Sequence, residues 1–318
     1  MVQTNLLKGK LDLEKHGPLF ALVVLFVLSS IASPYFLQTR NILNILRQVS
    51  YTGIIGLGMT FVIISGGIDL SVGSMTALVG GLVIMVLNYF GGGLIAIVLA
   101  IVFGILLGML LGAINGLIVT KGKVAPFIVT LGTMAVYRSF TLYISNAGEF
   151  RSTSNLYPQL GMGYFLGIPI PVWLFFGLAA LFGIILNNTR YGRYVCAVGS
   201  NERVARYSAI DVDKVRLIAY VIIGFTVAVS AILMSSRLNS VSSSNAGVNF
   251  ELDAIAAVII GGTAMTGGVG SMSGTVIGAI ILGIINNMLN MLGVSPYLQG
   301  TVKGLVIIGA VLIQRKKA

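Results

Sequence analysis

Residues 94–119 read LIAIVLAIVFGILLGMLLGAINGLIV. The run holds no charged residue. A helix rises about 1.5 Å per residue, so about 20 apolar residues cross a hydrocarbon layer of roughly 30 Å. This stretch is therefore long enough to span a membrane. Gly104, Gly108, Gly112 and Gly116 recur every fourth position within it. Residues four apart share one helix face, so the glycines form a stripe on which another helix backbone can pack closely.

Working outward, nine further apolar segments flank this one: 18–36, 49–65, 70–89, 125–145, 166–186, 216–235, 253–266, 273–293 and 297–313. Over the 318 residues, hydrophobic side chains make up 56% and charged ones only 9%, and mean hydropathy is +0.98. Soluble domains carry about 25% charged residues, so the solvent for this chain is lipid. The expectation is an all-α, polytopic integral membrane protein with about eight to ten transmembrane helices, residues 1–318 forming a single transmembrane domain. The segments at 49–65 and 253–266 are short and run into glycine clusters. They read as broken or re-entrant, because non-helical backbone at membrane depth must be buried in protein or line a cavity. The first segment ends in Ser-Pro-Tyr-Phe without a small-x-small cleavage site and reads as a retained helix.

Charge placement sets the expected topology. With ten crossings and the N-terminus inside, fourteen of the twenty basic residues fall in inner segments: Lys8, Lys10, Lys15, Lys121, Lys123, Arg190, Arg193, Arg203, Arg206, Lys214, Arg216, Arg315, Lys316 and Lys317. Arg40, Arg47, Arg151 and Arg237 fall outside, and Arg138 and Lys303 sit at or within spans. Cytoplasmic loops favour Lys and Arg, so both termini are expected in the cytoplasm. The net charge of +11 is then a topology signal, and no nucleic-acid partner is expected.

Val62-Ile63-Ile64-Ser65-Gly66-Gly67, followed by Val72-Gly73-Ser74-Met75, is echoed by Val258-Ile259-Ile260-Gly261-Gly262, followed by Val269-Gly270-Ser271-Met272. Duplication and chance both account for so short a match. The two glycine pairs mark candidate helix breaks beside a pathway: Gly66, Gly67, Asp69, Ser71 and Gly73 at the first, Asp253, Gly261 and Gly262 at the second. A charge inside a membrane is costly and marks function by default. The competing reading is structural, with Asp69 capping the next helix and Asp253 sitting at a helix start that favours a negative charge. Arg138 and Lys303 read as snorkelling side chains without an evident acidic partner.

Catalytic chemistry finds no footing. The phosphate-loop pattern Gly-x4-Gly-Lys-Ser/Thr is absent, and His16 is the only histidine and Cys196 the only cysteine. No cofactor or metal is expected. Residues 187–216 form the longest inner loop, in which Asn201–Ile210 can make a short helix with Ser200 or Asn201 as N-cap. Such a helix lies on lipid headgroups or docks into a partner, and residue chemistry leaves the choice open.

Three separated blocks resemble one family. They are Gly58 to Ser74, Glu251 to Thr263, and Arg190-Tyr191-Gly192-Arg193-Tyr194 with Gly199-Ser200-Asn201-Glu202. The family is the permease subunits of binding-protein-dependent sugar ABC importers of the ribose, xylose and galactoside type. Residues 283–303 look most like its ribose-type members. The resemblance implies a permease in the bacterial inner membrane that translocates a ribose-like monosaccharide. It implies an ATP-binding subunit on the cytoplasmic face, a periplasmic sugar-binding protein and a second permease chain. The partner subunit binds the ATP. Asn201, Glu202, Arg203, Ala205 and Arg206 match the helix that couples to the ATPase. A stand-alone secondary carrier or channel shares the apolar spans and glycine breaks and is the alternative.

Overall fold

The computed structural model describes residues 13–315; Lys8, Lys10, Lys316 and Lys317 lie outside the described residues. Every apolar segment proves helical: α1 (Leu13–Ala32), α2 (Thr39–Ile64), α3 (Val72–Tyr89), α4 (Leu94–Lys121), α5 (Pro126–Ile144), α7 (Ile170–Asn188), α10 (Val212–Leu238), α11 (Phe250–Ile260), α12 (Met272–Met291) and α13 (Pro296–Arg315). Among the described residues, seven of them (α2, α3, α4, α5, α7, α10 and α12) are long and apolar enough to cross a membrane.

Two expectations about broken segments divide here. Segment 253–266 is a helix of only 11 residues, α11, followed by irregular chain. Segment 49–65 is not short: α2 runs 26 residues and begins at Thr39, ahead of Arg40, Arg47 and Gln48. Of these only Arg47 is buried, while Arg40 and Gln48 are exposed; the part of α2 that follows is central. In its best membrane-length window 89% of residues are buried inside the protein, against 33% for α4 and 22% for α5. Hydropathy measures fitness for lipid, and α2 meets little lipid.

The helix α2 packs against α10, α12, α11 and α7, and α10 packs against α4. At the α4–α10 seam a Cβ on Gly108 would lie 2.5 Å from the Gly224 carbonyl oxygen, and one on Gly112 would strike the Tyr220 carbonyl oxygen. The glycine stripe therefore permits backbone-to-backbone packing, the usual device where lipid offers no hydrophobic drive between helices.

The connections carry structure of their own. Strand β1 (Glu149–Arg151) pairs antiparallel with β4 (Ser240–Ser242), joining the segments that follow α5 and α10. A small hairpin pairs β2 (Tyr164–Phe165) with β3 (Ile168–Pro169) beside the short α6 (Pro158–Met162). The stretch 187–216 is mostly helical, with α8 (Arg190–Ser200) and α9 (Glu202–Tyr207). Asn201 caps α9 by accepting from the Val204 N–H, and Asp211 caps α10 by accepting from the Lys214 N–H. Helix α9 stops at Tyr207, short of Ile210, because the chain leaves the helix with Ala209 at φ +59° and the Ile210 N–H returns to the Ala205 carbonyl. Lys214 and Arg216 belong to the first turns of α10.

Candidate functional site

The two glycine clusters end their helices by one geometry. After α2, the Gly66 N–H bonds the Ile63 carbonyl and the Gly67 N–H bonds the Val62 carbonyl. After α11, the Gly262 N–H bonds the Ile259 carbonyl and the Thr263 N–H bonds the Val258 carbonyl. Gly66 at φ +81° and Gly262 at φ +90° take the left-handed turn that this double bond, the Schellman motif, requires. The first half of the sequence echo is thus the same helix terminator used twice. The second half is not, since Ser74 lies inside α3 whereas Ser271 is the N-cap of α12.

At the first break the chain crosses from Ser65 to Ser71 through a buried polar network. Asp69 Oδ1 accepts from the Ser71 N–H at 2.8 Å and from the Ser71 hydroxyl at 2.6 Å. Asn115 of α4 donates to Asp69 Oδ2 at 3.3 Å and to Ser71 Oγ at 2.9 Å, and Tyr137 donates to Asn115 Oδ1. The exposed-backbone problem at Ile68 is answered by Tyr220, whose hydroxyl donates to the Ile68 carbonyl at 3.0 Å. Asp69, Ser71, Asn115 and Tyr220 are fully buried. Asp69 thus secures the entry to α3 through the Ser71 N–H. Gly73, one turn on, is pressed against the segment leading into α11: a Cβ there would strike the Gly247 carbonyl oxygen and lie 2.5 Å from Glu251 Oε2.

The second break, 261–271, has different neighbours. The Gly268 N–H donates to the Ile64 carbonyl at 2.9 Å, which ties it to the end of α2. A Cβ on Gly199 would overlap the Ile64 carbonyl oxygen and come within 2.5 Å of the Gly268 nitrogen, so the end of α8 rests on both. Gly261 is packed on the Gly274 carbonyl of α12.

Helix α9 reaches the first break by a charged link. Glu202 pairs with Arg216 at 2.8 Å, and Arg216 Nε donates to the Ser65 carbonyl at 3.3 Å. Arg206 pairs with Glu202 at 2.9 Å and with Asp213 at 3.1 Å. Partial burial pushes the Glu202 carboxyl up, but the hydrogen bonds and charges of Arg206 and Arg216 outweigh it and hold the group below its ordinary value. Ala205 is buried, whereas Arg203, Val204 and Tyr207 are exposed. The structure therefore sets Ala205 against the body of the protein and links Glu202 and Arg206 to α10 through Arg216 and Asp213, while Asn201, Arg203 and the rest of the Arg206 side chain are exposed.

Asp253 stands apart from the glycine breaks. It lies in the first turn of α11, but its carboxylate is held by Lys303 of α13 at 2.9 Å, so the lysine that lacked an evident acidic partner in the sequence has one. Arg138 does not snorkel; it donates to the carbonyls of Ser243 and Ala246 at 2.8 and 2.9 Å and fixes the segment ahead of α11. Sequence reasoning missed Asn115, Tyr220 and the linking role of Arg216. Asn115 had a signal, a lone amide in a long apolar run; the others become significant only once α4, α8 and α10 are folded against the breaks.

Seven membrane-length helices, with α2 and the short α11 ending at matched terminators near the α8–α9 pair, define a multi-pass membrane protein. Residues 41–311 match the family described as branched-chain amino acid transport system / permease component. The chain belongs to that family. It is 46% identical over 308 residues to the ribose import permease protein of Bacillus subtilis (strain 168), covering 96% of this chain and 94% of that relative. It is 42% identical to the ribose import permease protein of Haemophilus influenzae over 97% of this chain and 95% of the relative. The L-arabinose transport system permease protein of Escherichia coli (strain K12) is 34% identical over 96% and 91%.

Proposed function

We propose that the chain is the membrane-spanning subunit of an ATP-driven importer in the bacterial inner membrane and passes a ribose-like monosaccharide. The identity to ribose import permeases over nearly the whole chain carries this reading. In it the α8–α9 side is cytoplasmic, as the basic residues expected there require, and both termini lie on that side. A separate subunit binds and hydrolyses ATP and docks on Arg203, Val204 and Tyr207. A periplasmic binding protein delivers the sugar opposite, and a second permease chain completes the pathway.

The contacts of α8 and α9 support the coupling part. Movement of α9 acts through Glu202 and Arg216 on the Ser65 carbonyl, and movement of α8 acts through Gly199 on Ile64 and Gly268. Both helix breaks thereby shift with the docked ATPase, the kind of packed two-state displacement by which such assemblies alternate. Gly66, Gly67, Asp69, Ser71 and Gly73 shape the first moving element, and Gly261 and Gly262 the second. The test is purification of the tagged chain from host membranes with an ATPase assay of the eluate, for wild type and for the Arg203→Glu/Val204→Asp pair on the exposed face of α9. Co-purifying ATPase in wild type, lost in the variant, is expected. A folded, abundant chain without ATPase would favour a stand-alone carrier.

A further inference from the structure

Between α2, α10, α11 and α12 lies a half-open cavity of about 260 Å³, lined by the first half of α2 and the end of α10 and so away from α8–α9, which meet the opposite ends of these helices. Its polar lining comprises Gln48, Tyr51, Thr52, Arg237, Asp253 and Asn286. We propose that this cavity is a binding site for a small, neutral, polyhydroxylated solute, formed by one chain alone. The proposal deepens the importer reading and rests on it for the choice of solute.

Size comes first. Pockets for drug-sized ligands run from about 300 to 1,000 Å³, so this cavity suits something smaller. Hydrogen-bond demand comes next. Asn286 Oδ1 is buried and has no hydrogen-bond partner among the described residues; the Tyr51 hydroxyl, in a side chain only 5% exposed, has only the Arg237 guanidinium beside it. Orphaned buried polar atoms are rare and point to a missing partner. Asn286 Oδ1 only accepts, so its partner must carry a donor; a carboxylate or fully ionised phosphate has none. Arg237 lies with its guanidinium carbon 5.7 Å from the centre of the Tyr51 ring and has no acidic side chain within ion-pair distance among the described residues. Beyond the Tyr51 hydroxyl, its N–H groups are available to an acceptor in the cavity. Asp253 is neutralised by Lys303 and so does not call for a cation. A hydroxyl group both donates and accepts, and several hydroxyls on one small frame answer the donors and acceptors together. The Phe250 and Tyr51 rings complete the lining with apolar surface against which the carbon face of a sugar ring fits.

The test uses the full chain in lipid nanodiscs, without an ATPase, and radiolabelled D-ribose as probe. Wild type, Asn286→Ala and Tyr51→Phe are compared, with ribose 5-phosphate as the anionic competitor and ribose uptake by cells carrying the assembled importer measured in parallel. Wild type is expected to bind ribose saturably. Removing one partner of a ligand hydrogen bond costs about 1 kcal/mol, so each variant should weaken binding about fivefold, with unchanged thermal unfolding. Equal binding by wild type and both variants would overturn the site. Tighter binding of ribose 5-phosphate than of ribose would overturn the neutral-solute assignment in favour of an anion on Arg237. No binding despite ribose uptake would overturn the site and leave the importer reading standing; loss of both would remove both.

Discussion

The breaks after α2 and after α11 begin alike and then part. Each opens with Val-Ile-Ile, turns left-handed at a glycine and closes the same pair of backbone bonds. Beyond that turn the first break is fastened by its own side chains and those of α4 and α10: Asp69, Ser71, Asn115 and Tyr220 satisfy one another and the backbone. The second break is fastened by backbone contacts to neighbours, through Gly268 on Ile64 and Gly199 above both. The terminator decides where a helix stops, and the residues after it decide what holds the stop. The first break is thus tied by side chains to α4 and α10, and the second by backbone contacts to α2 and α8.

The largest effect is expected where that network is cut. Asp69→Ala removes the acceptor for the Ser71 N–H and hydroxyl and for Asn115, at a fully buried site. A buried donor left unsatisfied costs about 1–3 kcal/mol, so the loss should be about 3 kcal/mol or more. It is read as a marked fall in the thermal unfolding temperature of the purified chain in detergent. An unfolding temperature like that of wild type would break the contrast, because the first break would then be held by something else.

Next is Gly199→Ala at the second break. The added methyl meets the Ile64 carbonyl oxygen, a backbone atom that cannot swing away. Overpacking costs about 1–3 kcal/mol, and the strain is relieved only by moving the end of α8. ATPase should still co-purify, since the exposed face of α9 is untouched. Stimulation of its hydrolysis by sugar-loaded binding protein should fall several-fold. Normal stimulation would show that this contact transmits nothing.

The terminators were legible because they are local: a glycine after an apolar run has one common use. The ten apolar segments were legible for a related reason, that length and composition alone make a span. The extent of α2 was not, since Arg40, Arg47 and Gln48 look unfit for lipid, and only the fold reveals that Arg47 is buried in protein whereas Arg40 and Gln48 take exposed positions in the first part of the helix. Nor was the Lys303–Asp253 pair, which joins residues fifty positions apart, nor the cavity, whose walls come from four helices. Asp69, Gly66 and Gly262 were found by type and position; what they touch had to come from packing.

The smallest effect is expected at Ser271, and it sharpens the comparison most. In the sequence echo Ser271 corresponds to Ser74, but the structure gives it a different task. Its hydroxyl accepts from the Gly274 N–H at 3.0 Å and so caps α12 where the second break ends. The residue in the capping position of α3 is Ser71, whose side chain makes no cap bond and donates instead to Asp69. Ser271→Ala therefore removes one ordinary cap, about 1 kcal/mol, with no network behind it. Its effect on thermal unfolding should be a third or less of that of Asp69→Ala, and combining it with Asp69→Ala should give additive losses, because Ser271 and Asp69 share no hydrogen-bond partner among the described residues. Strong non-additivity would mean that the two breaks are one coupled element.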